Sequence, residues 1–305
     1  MNLNIISFAL IVMLAAAGYS QDYEIRIQRP IKVNDERKLC VTAKQSMNGS
    51  ITADGAQPSD NEKAVSIQFD GLEKVIAVDQ YGTETKAMLT VDKFIKSENG
   101  RSSDILPAGT VVICFVADNE EQSYEIGGKP VDDATSQALD MTIRLGRSVP
   151  TADDALGTND RKMKGESWDV NGNSVKKYLE NAAGFTESHA IQTTGSPVKI
   201  YLGKCRFRNF VGKSKLEDIT GDDIKVSANI SAEFTAILPD ETVYDANTMD
   251  ANVSVVCPID TSKYESKYEF SMITYFLGHF ERPKGKMIVR MKTELSFSRV
   301  ITPIK

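Results

Sequence analysis

The chain has 305 residues, 26% of them charged, and a formal net charge of −6. That balance lacks the basic footprint of a nucleic-acid binder and offers no attraction to anionic lipid. An apolar content of 41% suffices for a packed core, in two domains or one large β domain.

From Ile5 to Ala17 the chain is apolar except for Ser7. This is the length of a signal-peptide core and too short to span a bilayer as a helix. Ala15, Ala17, Gly18 and Ser20 suit cleavage after Ala17 or after Ser20, although Met1–Asn4 carries no Lys or Arg. Residues 1–20 are therefore expected to be a secretory signal peptide. The mature chain is expected to be soluble and exported, either periplasmic or extracellular. No later segment reaches the ~18 apolar residues of a membrane-spanning helix.

Long runs then alternate with period two, the pattern of half-buried strands. Around Arg37–Lys44, Leu39, Val41 and Ala43 share one phase, and Lys38, Cys40, Thr42 and Lys44 the other. Val65, Ile67 and Phe69 alternate with Ser66 and Gln68, and Glu73–Val78 and Thr85–Phe94 flank a turn at Gln80–Thr83. Val111–Val116 is apolar throughout and reads as a strand buried on both faces. Tyr124–Val131 reads as a strand end with a Gly-Gly turn. Asp132 or Asp133 can cap a helix over Ala134–Leu145 that stops at Gly146, and Asn173 or Ser174 can cap a second over Ser174–Asn181. Ser148–Ser167, between them, is polar and rich in turn residues. Strands return at Ile224–Phe234, Tyr264–Phe276 and Met287–Ser298.

The expected fold is mainly β: long antiparallel strands in a strongly curved sheet or half-barrel, divisible into two β halves, with two short helices. The expected organisation is a signal peptide over 1–20 and a first β half with its helix over 21–146. A connecting region with the second helix covers 147–195, and a second β half covers 196–305.

Cys40, Cys114, Cys205 and Cys257 show no metal-like spacing. In an exported chain an even count suggests disulfides. With two cysteines in each half, Cys40–Cys114 and Cys205–Cys257 are the expected pairs, each worth roughly 3–4 kcal/mol. Four free thiols are the alternative. Asp169, Asn171, Asn173 and Glu180 fall at positions one, three, five and twelve of a calcium-loop numbering, although Ser174 stands where the loop wants Gly. The alternative is an Asn-Gly turn leading into a capped helix. His189 and His279 are isolated, the paired acids at Asp153, Glu217, Asp222 and Asp240 read as solvated turns, and Trp168 reads as a core anchor. Nucleophile, zinc, phosphate and dinucleotide motifs are missing, so neither cofactor nor catalytic residue is assigned.

Leu106-Pro107-Ala108-Gly109-Thr110-Val111-Val112, then Tyr124–Val131 with its Gly128-Lys129-Pro130-Val131, the helix, and Leu156-Gly157-Thr158 through Gly165-Glu166-Ser167-Trp168 form one order of motifs. This order resembles uncharacterised exported bacterial β-rich proteins. The resemblance implies export and imports no activity. The architecture is also similar to periplasmic half-barrel carriers, in which a curved sheet wraps a helix and binds acyl chains. The resulting expectation is a non-enzymatic exported protein whose candidate partners are an apolar ligand or an envelope protein. An envelope or surface interaction module and an unrecognised hydrolase are the alternatives.

Overall fold

The computed structural model describes residues 21–29, 31–53, 59–98, 100–117, 122–145, 150–182, 190–192, 199–201, 205–237, 243–282 and 285–304. The signal-peptide expectation lies outside them, as do His189, Asp240 and Gly146. Among the described residues fifteen strands form, and thirteen of them join one antiparallel sheet that does not close into a barrel.

The first group is β1 (Glu36–Ala53), β2 (Ser59–Val78), β3 (Glu84–Glu98), β4 (Arg101–Leu106), β5 (Val111–Val116), β6 (Gln122–Ile126) and β7 (Lys129–Pro130). Three short helices follow: α1 (Asp133–Thr142), α2 (Ala152–Leu156) and, after β8 (Ser167–Asp169), α3 (Gly172–Ala182). A separate two-stranded ribbon pairs β9 (Ala190–Gln192) with β10 (Lys199–Tyr201). The chain ends in β11 (Cys205–Thr220), β12 (Asp223–Ile237), β13 (Val243–Pro258), β14 (Lys267–Arg282) and β15 (Gly285–Pro303).

Sheet order is β7-β6-β5-β3-β2-β1-β15-β14-β13-β12-β11-β8, with β4 beside β3. The first and last long strands therefore meet in the middle, where β1 pairs with β15 from Arg37↔Pro303 to Ala53↔Met287. The segments expected as separate strands at 65–69 and 73–78 are one strand, β2, with a register irregularity at Asp70/Gly71. Gly71 is required there, because a Cβ would lie 2.4 Å from the Thr90 carbonyl oxygen and 2.9 Å from the Phe69 ring. β5 is buried on one face only: Val112 and Cys114 are buried, but Val111 is 43% exposed. Uniform apolarity was the wrong guide there, since β5 lies near a sheet edge.

Alternation places the apolar residues on one face. Leu39, Val41, Ile67, Phe69, Leu89, Phe94 and Val112 build one core beneath Ala138, Leu139 and Ile143 of α1 and its end. Val226, Ile230, Val253, Val255 and Met272 build another beneath α2 and Val175 of α3. Each such side chain contributes roughly 1.5–3 kcal/mol by burial. The Asp132 carboxylate caps α1 by accepting from Thr135 N–H at 2.8 Å. The third helix, α2, was not expected. Thr151 and Asp154 cap it reciprocally, which satisfies two backbone donors inside a polar stretch.

Residues 23–27 extend the second core. Tyr23 forms a backbone bridge with Lys162, and Ile25 and Ile27 are buried. Asp153 of α2 accepts from Ile27 N–H at 2.6 Å, and the Arg29 guanidinium donates to the carbonyls of Pro258 and Asp260. This N-terminal strap fills space that helices alone leave open on the apolar face.

Candidate functional site

The opposite, polar face carries an open trough of about 670 Å³ that crosses six strands. Two cross-strand rows build it. One runs Lys215, Ser227, Ser254, Glu269, Ser298 and Thr42, and the other runs Lys213, Asn229, Asn252, Ser271, Ser296 and Lys44. Strand period alone sets this arrangement, because each of these residues is out of phase with the core residues beside it. Lys44 and Lys225 match Glu217 and Glu269 on its walls, and Lys213 and Lys215 add positive charge at its β11 end.

Glu217 is held below the ordinary carboxylate range by hydrogen bonds from Lys215 and then Ser227. Glu269 pairs with Lys267 at 2.9 Å. Asn229, Asn252, Ser254, Ser271, Ser296 and Ser298 make no side-chain hydrogen bond to another described residue. They therefore present free donors and acceptors to whatever lies in the trough.

A second constellation lies inside the molecule, at the β1 start. Arg37 donates from Nε to Glu73 and from Nη2 to Glu84, and all three residues are at most 4% exposed. The Tyr264 ring lies 5.5 Å from the Arg37 guanidinium carbon. Arg299 pairs with Glu265 nearby. Burial and the adjacent Glu73 carboxylate push Glu84 up to about 8, against the pull of Arg37. Burial opposes the Arg37 charge, but the two carboxylates outweigh it and its pKa rises. Glu84 Oε1 is buried without a hydrogen-bond partner.

The residues named from sequence do not assemble into metal or disulfide sites. Asn171 Oδ1 accepts from Ser174 N–H, so Asn171 caps α3. The proposed calcium loop is thus a strand end followed by a helix. Asp169 sits in β8, while Asn173 and Glu180 lie two turns apart along α3. Among the described residues no group of three His, Cys, Asp or Glu side chains could hold a metal.

Neither expected disulfide forms. Cys40 is an exposed free thiol on β1 and Cys114 a buried free thiol on β5, separated by β2 and β3. Cys257 is also a buried free thiol. It pairs in register with Ile224, whereas Cys205 pairs with Ala236 near the other end of the same strand. A distance of about twelve strand residues far exceeds the ~7 Å Cα limit of a disulfide. Equal division of cysteines between the halves was no guide to proximity in a sheet this wide.

Trp168 does anchor the core, donating from Nε1 to the Leu156 carbonyl at 2.9 Å. His279 lies exposed on β14. Asp153 is half-buried beneath the strap and Asp154 completes the α2 cap, so this acid pair has a structural role.

The fold and these faces define a class no narrower than an open, mainly β protein built on one large antiparallel sheet. No family model matches the chain, and no curated protein matches it. Among solved structures it aligns over 92% of its length with lipovitellin, in a structure described by its lipid–protein interactions, at 8% identity and a TM-score of 0.36. The chain spans about a quarter (26%) of that protein's length. A FadL homologue of Pseudomonas aeruginosa aligns with 87% of this chain and 90% of its own, at 6% identity and a TM-score of 0.15. The toluene transporter TodX of Pseudomonas putida aligns with 93% of this chain and 95% of its own, at 7% identity and a TM-score of 0.13. Scores this low define no shared fold.

Proposed function

We propose that this chain is an exported, non-enzymatic interaction module that engages its partner through the polar trough. The observation that carries this reading is the pair of polar rows across six strands, whose Asn229, Asn252, Ser254, Ser271, Ser296 and Ser298 side chains make no hydrogen bond to another described residue. Such groups favour a hydrogen-bonding partner lying across the strands. The apolar face is less suited to carrying a ligand, because the strap and three helices already fill it with buried side chains. An apolar ligand would have to displace Ile25 and Ile27.

The test is retention of the mature protein by envelope material from its native cell. Replacing Asn252 and Ser271 together by Glu places two like charges side by side in the trough and should abolish retention while leaving the thermal midpoint nearly unchanged. Undiminished retention of that variant would contradict the reading.

A further inference from the structure

The Arg37 cluster fastens a loop as well as a sheet. Arg37 comes from β1, Glu73 from β2, Glu84 from β3 and Arg299 from β15. The connection between β13 and β14, residues 259–266, covers them from the other side with Tyr264 and Glu265. Ser266 N–H donates to the Val256 carbonyl, and the Ser266 carbonyl accepts from Ile301 N–H.

The groups facing Glu84 can be counted by element. Arg37 and Arg299 are cationic. Glu73 and Glu265 are anionic, and Asp35 lies beside Tyr264 at the rim. The Cys114 thiol of β5 is also near and is held neutral, because burial raises its pKa. With every carboxylate ionised, the two guanidiniums at the centre face Glu73, Glu84 and Glu265. Arg299 and Glu265 pair with one another and stay partly exposed, so the one negative charge in excess falls on the buried Arg37, Glu73 and Glu84. A single proton removes it. Glu84 is the group most in need of that proton, because its Oε1 accepts nothing from any neighbour.

We propose that Glu84 carries a proton in the folded protein at neutral pH, and that its release at alkaline pH unlatches the β13–β14 connection from the end of the sheet. With Glu84 ionised, the buried surplus charge is relieved most readily by admitting water. The cover that must yield is the Tyr264–Glu265 loop, since the other members of the cluster sit in paired strands. The shift of Glu84 to about 8 agrees with this geometry. The device is independent of what the trough binds.

Amide hydrogen exchange across a pH series, expressed as protection factors, reads the latch directly. Protection at Ser266 and Ile301 should fall by up to about tenfold for each pH unit as pH rises toward the Glu84 transition near 8 and level off above it, while the central residues of β12 stay protected. In Glu84→Gln, which keeps the shape and cannot ionise, protection at both amides should be flat with pH. A wild type without the fall, or a variant that keeps it, would overturn the proposal. A second readout needs no variant. Infrared titration of the folded wild type should show one buried protonated carboxyl at neutral pH that is lost by about pH 9.5; its absence at neutral pH would equally overturn the proposal.

Discussion

Arg37, Glu73 and Arg299 each stand in phase with core residues: Arg37 with Leu39 and Val41, Glu73 with Phe69 and Val75, Arg299 with Phe297 and Ile301. A charge in the apolar phase of a strand has to be paired inside the protein, and here each is. The cost of breaking such a pairing exceeds the gain from making it. Arg37→Met should therefore lose about 3–5 kcal/mol in urea denaturation, because the buried Glu73 and Glu84 side chains are left without their cation. Glu84 also makes stability depend on pH. The unfolded chain gives up its proton near 4.5 and the folded one near 8. Between these values the fold holds a proton that the unfolded chain has lost, so stability falls as pH rises through that window and levels off above it. Urea midpoints across that range should show the slope in the wild type and lose it in Glu84→Gln. Backbone crowding gives another prediction at this scale. Gly71→Ala should cost about 1–3 kcal/mol, since the Thr90 carbonyl and Phe69 ring cannot both retreat.

At the scale of elements, period-two alternation was sufficient to find β3, β12 and β15, and capping residues placed α1 and α3 within a few residues of their observed ends. The same phase carried the trough, whose members were visible as the polar half of each strand. What sequence could not supply was register. Only pairing across strands brings Asn229 beside Asn252, or separates Cys40 from Cys114 by two strands. The buried cluster was legible in principle, because its charges interrupt the apolar phase, but nothing local says that Arg37 of β1 reaches Glu84 of β3. The strap was hidden because Ile25 and Ile27 form no run long enough to read as a strand. Ile25→Ala should cost about 2–5 kcal/mol, measured by thermal or urea unfolding, despite the position of this residue near the start of the described chain. The thiols offer an independent check. Burial pushes Cys257 up to about 11 and Cys114 higher still, so maleimide should label Cys40 in the native protein and those two only after unfolding.

For the whole molecule, an open sheet with one filled face leaves the other face as its largest accessible surface. No helix among the described residues is long and apolar enough to cross a membrane. Parts of the rim are poorly suited to strand addition, although β8 covers only Lys213–Lys215 of the 16-residue β11. β7 and β8 are two and three residues long, and β4 exposes Arg101 and Asp104. Short, charged edges resist pairing with another chain. In the proposed reading a partner rests on the face, in the trough at the joined centre of the sheet.

The most direct measurement is photo-cross-linking in the native cell from a reactive residue placed at Ser271, in the centre of the trough, against a control at Lys129 on the edge. A reproducible adduct is expected from position 271 and none from position 129. Adducts from the edge with none from the trough would contradict the proposed reading.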